Sequence, residues 1–437
     1  MNATRQAYDF LHKMGQYNTS INWYTTYKLE YLSIKHIYSW SGSSGMDYSW
    51  ILNIRQSIIN QFWTSNSIIY DRILKYINMI SKSLITLLLL FSATFANASE
   101  YKLEQVLPNL VKPWGISFID NQNVLVTQKT GEILKINLNT KEVIELEHNL
   151  KVVSPHWQAG MLDILYDNGN VFVSYTEDRG NDQTSTSIAK GSLNGNSLEN
   201  FENIFQSEPP LWDNIHWGSR LMIKDQLLYA SIGERAQGSK AQDPTNHIGK
   251  IIRINQDGSS PSDNPFSNKS DWLPEVYQIG LRNPQGMALN HTDNQIYITN
   301  HGPKGGDFFG EVIADTNYGW MDVAWGGTDY DGSIIGDGSA WKEGLLKPIY
   351  RWIPSIAVSD MTFYKGDQFP ELKDNIILTS LKAGRLISLE FSNGKASNET
   401  ILVQGMGRLR DVEQNDEGEI FVIIDDDVSG IYKLTRN

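Results

Sequence analysis

A histidine and a glutamate at the ends of neighbouring strand segments can form an acid–base pair. His216 lies in the segment NIHWGSRL, and Glu234 follows 18 residues later in SIGER. Histidine titrates near neutrality and can act as a general base, while a carboxylate folded back onto its ring would orient the imidazole and favour its protonated form. The alternative is a structural histidine packed with Trp212 and Trp217. His247, in NHIGKIIRI, is interpreted as structural, because it opens a strand and has no acidic partner nearby in sequence.

A second set of residues could bind an anion. Arg282 and Asn283 lie in IGLRNPQGMAL, Lys382 in TSLKAGRL, and Arg408 and Arg410 in GRLRDV. The proline after Asn283 keeps the Arg-Asn pair extended, so that a guanidinium and an amide can point into one funnel. Alternate strand positions share a face, which groups Arg408 with Arg410. Together these side chains predict a pocket for an anion with several carboxylates; the alternative for Arg282 is a bridge between two loops.

Metal chemistry is indicated by one glycine-rich loop. The segment NHGPKGGDFFGEV places glycines 302, 305 and 306 around Pro303. Such an irregular loop can turn backbone carbonyls outward, where they are good ligands for a hard cation such as calcium. The chain has no cysteine, which excludes disulfides, thiolate zinc sites and a cysteine nucleophile.

The scaffold for these residues is indicated by a sequence pattern that occurs six times in the chain. The pattern consists of two short strand segments joined by an Asn, Asp or Gly turn, which is typical of a hairpin. It begins at Gly115, Gly160, Ser219, Gly286, Ser359 and Leu409, so the spacings run from 45 to 73 residues. Propeller blades recur at roughly 40 to 50 residues, with loops adding length. The pattern predicts an all-β fold, a six-bladed β-propeller, with the site under the insertions between blades three, four and five.

The chain before the repeats carries an export signal. A positively charged start at Met79–Lys82 precedes an apolar run, Leu84–Phe95, and a small-x-small site at residues 96–98. This run is shorter than the roughly 20 residues that span a bilayer, so a signal peptide is favoured over a membrane anchor. We therefore expect residues 1–78 to be an upstream extension from a mis-assigned start or a small accessory segment, residues 79–98 to be the signal peptide and residues 99–437 to be the propeller. The predicted location is the periplasm.

Charge excludes one function class. The 437 residues carry 37 basic and 50 acidic side chains, a formal net charge of −13. No basic stretch is dense enough to neutralise a phosphate backbone, so the chain is not a generic nucleic-acid binder. No membrane span is expected in the mature part.

The same segments identify a family. From about Leu107 to Leu434 the chain resembles the soluble pyrroloquinoline quinone (PQQ)-dependent aldose sugar dehydrogenases of the glucose/sorbosone dehydrogenase family. The motifs that carry the resemblance, in the family's order, are KPWGISF, QAGMLDILY, HWGSRLMI, AQDPTNHIGKIIRINQDGSSPSDNPF, PEVYQIGLRNPQGMAL, HGPKGGD with NYGW, WIPSIAVSDMTFY, SLKAGRL and GRLRDV.

The resemblance implies roles for individual residues. It implies PQQ and Ca²⁺ at the top of a six-bladed propeller, with His216 taking the sugar hydroxyl proton and Glu234 in place of the family's usual aspartate. The implied PQQ contacts are Gln158, Arg282, Asn283, Lys382, Arg408 and Arg410. The carbonyls of Gly302 and Pro303 would ligate the calcium, and Trp352 would stack on the sugar or belong to the core.

One departure from the family pattern concerns a second calcium site. After HGPKGG the family usually reads Asp-Glu-Ile-Asn, whereas this chain has Phe308 after Asp307. The implied reaction is hydride transfer from C1 of an aldose to PQQ, giving a lactone and passing electrons to an acceptor that the sequence does not identify. The rival classes are a calcium-dependent propeller lactonase and a non-catalytic binding platform, and the oligomeric state is unspecified.

Overall fold

The computed structural model describes residues 100–153, 156–212, 215–326 and 328–437. This part of the chain forms 25 β-strands and two short 3₁₀ helices, Gly238–Gln242 and Pro370–Leu372. No helix among these residues is long and apolar enough to cross a membrane. The predicted signal peptide, residues 79–98, and the extension before it lie outside the described residues.

The strands form six sheets, the blades, each built on four antiparallel strands. Blade one contains β2 (Pro113–Phe118), β3 (Asn123–Gln128), β4 (Ile133–Asn137) and β5 (Val143–Leu146). Blade two contains β6 (Met161–Asp167), β7 (Asn170–Asp178), β8 (Thr184–Asn194) and β9 (Ser197–Gln206). Blade three contains β10 (Gly218–Lys224), β11 (Leu227–Ile232), β12 (Lys250–Asn255) and β13 (Val276–Ile279), with β17 (Thr316–Asn317) added in parallel to β13.

The remaining blades complete a ring. Blade four contains β14 (Pro284–Asn290), β15 (Gln295–Asn300), β16 (Asp307–Glu311) and β18 (Tyr350–Trp352). Blade five contains β19 (Val358–Phe363), β20 (Ile376–Ser380), β21 (Arg385–Ser392) and β22 (Lys395–Gln404). Blade six joins β23 (Leu409–Gln414), β24 (Ile420–Ile424) and β25 (Ser429–Arg436) to β1 (Tyr101–Leu110), so one sheet ties together the start and the end of the propeller.

The first strand of each blade packs against the first strands of both neighbouring blades, and the six contacts close a circle. This confirms the predicted six-bladed propeller, and each predicted repeat start lies within two residues of the observed first strand. The core is divided into sections between blades; one section packs Ile116, Val124 and Ile136 of blade one against Phe421 and Ile423 of blade six. Apolar burial on both faces of each sheet is what holds the ring together.

All first strands begin at the same end of the propeller, which we call the site face. Because neighbouring strands are antiparallel, the second strand of each blade ends there. Residues that precede a first strand or follow a second strand therefore meet around one end of the axis. They include Lys129, Gln158, His216, Glu234, Asn283, His301, Lys382, Arg408 and Asp425.

A β-bulge or irregularity in register occurs near the site-face end of every first strand. The shifts fall at Pro113/Gly115, Met161/Ile164, Gly218/Leu221, Pro284/Gly286, Val358/Met361 and Leu409/Asp411. Bulges of this kind interrupt strict alternation and re-aim side chains.

Candidate active site

His216 and Glu234 form a buried pair at the site face. Nδ1 of His216 is hydrogen-bonded to the Glu234 carboxylate, and their side chains are 12% and 3% exposed. The backbone fixes both residues: the His216 amide donates to Oε1 of Gln158 at 2.8 Å, and the Glu234 amide donates to the Arg282 carbonyl at 2.7 Å. Of the predicted site residues, Gln158 and Glu234 therefore contact His216 directly, and Arg282 holds the backbone of Glu234.

The protonation state of His216 is set mainly by burial. Burial lowers its pKa below the ordinary value, and this outweighs the Glu234 carboxylate, which raises the pKa; Arg282 and Arg235 lower it further. Glu234 does favour the protonated ring, as the sequence predicts, but desolvation has the larger effect on the pKa and favours the neutral ring. Because a carboxylate only accepts hydrogen bonds, the neutral ring carries its proton on Nδ1 and leaves Nε2 as an acceptor. This is the form that a general base requires.

Arg410 lies at the centre of the cationic group. It is 6% exposed and donates hydrogen bonds to Gln285 and to Asp425. Its Nε is buried without a hydrogen-bond partner. Arg408 is more exposed, with its Nε 3.5 Å from the same carboxylate oxygen of Asp425. Burial alone would raise the pKa of Asp425, but Arg410, Lys129 and Arg408 hold it at about 2, so it remains a carboxylate.

Arg282 and Asn283 join this group to the strand beside His216. The Arg282 side chain is 5% exposed, and its Nη1 donates to the Gly302 carbonyl at 3.2 Å. Oδ1 of Asn283 accepts from the Gly218 amide at 3.0 Å and from Nε2 of Gln285 at 3.4 Å. Since Gln285 also accepts from Arg410, one chain of hydrogen bonds crosses from blade six to blade three.

Lys129 is a cation that sequence analysis missed. It follows β3, is 8% exposed, and its Nζ donates to the Trp157 carbonyl at 2.9 Å. The pKa of Lys129 is lowered, mainly by burial; the Asp425 carboxylate opposes this effect and the Arg410 guanidinium adds to it. The Lys129 ammonium therefore lies near both Asp425 and Arg410. Its position in the sequence could have identified it, because a residue that directly follows the second strand of a blade lies at the site face.

Lys382 and the glycine-rich loop at residues 302–306 lie at the site face. Lys382 follows β20 and is exposed, with its amide 3.1 Å from the Ile356 carbonyl. The loop at Gly302 is held from behind by the buried Asp307, whose Oδ1 accepts from the Gly302 amide at 2.8 Å. A Cβ on Gly302 would lie 2.2 Å from the Gly305 carbonyl oxygen, so this close approach requires glycine.

Two aromatic residues lie outside the site. Trp352 is 5% exposed, packs in the core between blades four and five, and donates from Nε1 to Glu399 at 2.6 Å. The predicted sugar-stacking role is therefore corrected to the core alternative, because its ring is covered. Phe308 is also buried, with its ring centroid 4.6 Å from that of Tyr318.

His247 is buried, and His301 is half-buried with a buried Nε2. His247 accepts from the Glu208 amide at 2.9 Å and contacts the ring of Phe205, as expected for a structural histidine; the fold also brings Oε2 of Glu275 to 3.5 Å from its Nε2. His301 was not singled out from the sequence. Burial, with Arg282 and Arg410, lowers its pKa well below the ordinary value, and its Nε2 has no hydrogen-bond partner.

The channel below the site is lined by carboxyl groups around one arginine. Arg220 is paired with Asp163 at 2.8 Å, Asp411 at 2.9 Å and Asp360 at 3.2 Å. A cavity of about 290 Å³ continues from these residues toward the far end of the channel. The sequence predicts a funnel rich in Arg and Lys, and the structure shows these cations only at the site-face end of the channel. Within the described residues, no three His, Asp or Glu side chains are arranged to hold a metal ion.

Comparisons with known proteins identify relatives of this chain. A family model described as Glucose / Sorbosone dehydrogenase matches residues 110–433. The aldose sugar dehydrogenase YliI of Escherichia coli is 30% identical over 363 residues, which cover 80% of this chain and 97% of the relative. Quinoprotein glucose dehydrogenase B of Acinetobacter calcoaceticus is 28% identical over 291 residues, covering 58% of this chain and 59% of the relative.

A solved structure gives the same result. The soluble aldose sugar dehydrogenase from Escherichia coli in its apo form superposes with a TM-score of 0.72 at 29% identity, covering 77% of this chain and 100% of that one. The chain therefore belongs to the glucose/sorbosone dehydrogenase family of sugar dehydrogenases.

Proposed function

We propose that this protein oxidises an aldose at C1 to the lactone, with PQQ as the hydride acceptor and Ca²⁺ beside it. The observation that carries the proposal is a buried His216–Glu234 pair, with a free ring nitrogen, next to a group of buried cations. A relative named as a quinoprotein glucose dehydrogenase supports the choice of cofactor.

The residues fit PQQ by their chemistry. The cofactor is a flat quinone with three carboxylates, and Arg282, Arg408, Arg410, Lys129 and Lys382 offer charge-assisted hydrogen bonds to such an anion. The buried, unpartnered Nε of Arg410 is a donor left for a ligand, since buried donors are otherwise satisfied. When bound, PQQ supplies the electron-accepting quinone that no side chain can replace.

Calcium would be held by backbone carbonyls. Gly302 and Pro303 are the proposed ligands, and the Gly302 carbonyl already faces the Arg282 guanidinium at the site. Carbonyl oxygens suit this hard cation, and the cofactor's own oxygens would complete its shell. The ion would supply Lewis-acid polarisation of the quinone.

The protein's own part is to accept and hold a proton. Nε2 of His216 takes the proton of the anomeric hydroxyl, and Glu234 stabilises the imidazolium that forms at Nδ1. The lowered pKa keeps the ring unprotonated near neutral pH, ready for each turnover. Burial of both side chains excludes water from the proton transfer.

The test is reconstitution of the purified protein. PQQ and CaCl₂ added to the apoprotein should give aldose-dependent dye reduction, and His216→Gln should lower turnover per bound PQQ by a factor of about 10² to 10⁴. Calcium-dependent lactone hydrolysis without PQQ would favour the lactonase instead. Against that alternative, the channel carboxylates are paired with Arg220. PQQ binding without turnover of any aldose would favour a binding platform.

A further inference from the structure

Arg235 is a buried arginine that directly follows Glu234 and that the proposed reaction does not use. Its side chain is 1% exposed, which leaves no surface for contact with a bound ligand. Its guanidinium lies on Trp217, the residue after His216, with Cζ 3.3 Å from the centroid of the indole ring. Guanidinium groups stack well on aromatic faces, and tryptophan is the best partner for a cation. The paired strand ends of β10 and β11 therefore meet twice, through His216 with Glu234 and through Trp217 with Arg235.

The same guanidinium reaches the neighbouring blade. Nη2 of Arg235 donates to Oγ1 of Thr184 at 3.0 Å and Nη1 donates to the Thr184 carbonyl at 3.4 Å, and Thr184 is the first residue of β8 in blade two. Blade two also holds the backbone of Trp217, since Oγ1 of Thr186 donates to the Trp217 carbonyl at 3.1 Å. Arg235 thus joins the end of blade three to blade two, through the residue that follows His216.

The backbone at this junction lies in the left-handed region. The φ angle is 56° at His216, 54° at Arg235 and 55° at Ala236. Residues other than glycine rarely adopt this conformation, so surrounding contacts must hold them in it. The His216 carbonyl accepts from the Arg235 amide at 3.3 Å, while the His216 amide donates to Gln158. Arg235 therefore provides several of the contacts that keep His216 in place.

The charge of Arg235 also acts on the imidazole. Within the described residues, the titratable and charged groups that face the ring of His216 are Glu234, Arg235, Arg282 and His301. Burial lowers the pKa of His216, the Glu234 carboxylate opposes this effect, and the two guanidinium groups add to it. An imidazolium held too firmly by Glu234 would keep the substrate proton. A permanent cation beside the pair helps that proton to leave before the next turnover.

We propose that Arg235 is a positioning residue for the base, which fixes His216 between blades two and three and keeps a permanent positive charge beside it. This deepens the proposed function and rests on it for the role of His216. Arg235 acts through its contacts with Trp217 and Thr184 rather than through the anion pocket. Turnover and protonation of the base should therefore depend on Arg235, whereas the affinity for PQQ should not.

The test replaces the arginine and follows the base directly. Arg235→Met keeps an apolar chain against Trp217 and removes the charge. We expect the titration of His216 in the apoprotein to move upward by about half to one pH unit, together with the acidic limb of activity. NMR of the imidazole follows this titration, and His216→Gln assigns its signal. Turnover per bound PQQ should fall by about tenfold through loss of position, with the affinity for PQQ within about twofold of the parent.

Two further variants separate position from charge. Thr184→Val removes the acceptor of Nη2 and keeps the guanidinium, so turnover should fall by about two- to tenfold while the titration of His216 stays in place. Arg253→Met is the matched control, because Arg253 is also buried in blade three and lies on an aromatic ring, with Cζ 5.0 Å from the centroid of Tyr277. This control should move neither turnover per bound PQQ nor the titration.

Three results would overturn the positioning role. The titration of His216 could stay unmoved in Arg235→Met, it could move equally in Arg253→Met, or the affinity for PQQ could fall together with turnover, which would place Arg235 in the cofactor pocket. The NMR titration separates this proposal from the proposed function. A shift in Arg235→Met without oxidation of any aldose supports the positioning role while the proposed function fails; oxidation with an unmoved titration leaves the function standing without it.

Discussion

Replacing Glu234 with glutamine removes the carboxylate that holds Nδ1 of His216. The change is nearly isosteric, and the side chain is 3% exposed, so packing is retained while the charge is lost. A glutamine can present its amide group to the ring as a donor. The imidazole would then carry its proton on Nε2, the nitrogen that must accept the substrate proton.

The expected magnitude follows from that contact. A hydrogen bond to a charged group contributes about 1.5–3 kcal/mol, and 1.36 kcal/mol corresponds to a factor of ten in rate. Losing it from the imidazolium-like transition state predicts a fall in turnover of about 10- to 150-fold. Reversal of the ring tautomer takes the loss toward 10² to 10⁴, the range for losing a general base.

The pH profile gives an independent measurement. Activity requires neutral His216, so it falls as the pH drops through the pKa of that residue. Glu234 raises this pKa against the larger effect of burial, so Glu234→Gln should move the acidic limb to lower pH. Glu234→Asp keeps the charge and should restore most of the turnover. Turnover of Glu234→Gln within a few-fold of the parent, with an unmoved acidic limb, would show that the carboxylate does not control the base.

Three further predictions concern binding, stability and processing. Arg410→Ala and Lys382→Ala should each weaken PQQ binding in a fluorescence titration by about 1.5–3 kcal/mol, while Lys365→Ala at the far end should not; equal affinities in all three would remove both residues from the pocket. Burial and Asp411 raise the pKa of Glu413 from the ordinary value of 4.5 to about 8, so between these values the folded state keeps a proton that the unfolded chain has lost, and stability falls as the pH rises. The Tm should therefore fall between about pH 4.5 and 8 because of this residue and show no further fall from it at higher pH, and Glu413→Gln should reduce the fall; identical pH dependence in both proteins would contradict this. Mass spectrometry of the exported protein should find Ser99 at its N-terminus, and peptides from residues 1–78 would refute that processing.

Sequence reasoning succeeded for the repeats because each blade is a local unit. A hairpin with its turn is written in consecutive residues, so all six first strands could be located before any contact was known. His216 and Glu234 were accessible for the same reason, because β10 and β11 pair directly and both residues lie at their site-face ends. The prediction of this pair depends only on the pairing of two strands that are consecutive in the sequence.

Contacts between blades are a different problem. Asp425 is held by Arg410, Arg408 and Lys129, and these residues come from blades six and one. Trp352 lies in a motif that predicts a place in the site, yet its indole is buried and donates a hydrogen bond to Glu399 of blade five. Pairings of this kind depend on how separate sheets pack, and no spacing within one blade encodes them.

The bulges show that Arg408 and Arg410 come together for a reason other than strict alternation along a strand. Arg408 and Arg410 were grouped because alternate strand positions share a face, but β23 begins at Leu409 and its register shifts between Leu409 and Asp411. Arg408 therefore precedes the strand, and the two arginines meet because Asp425 lies between them. The register shift ends at Asp411, the residue whose carboxylate reaches Arg220 of blade three. One irregular step thus separates the cationic site face from the channel lined by carboxyl groups, and its recurrence in every blade makes it a property of the propeller.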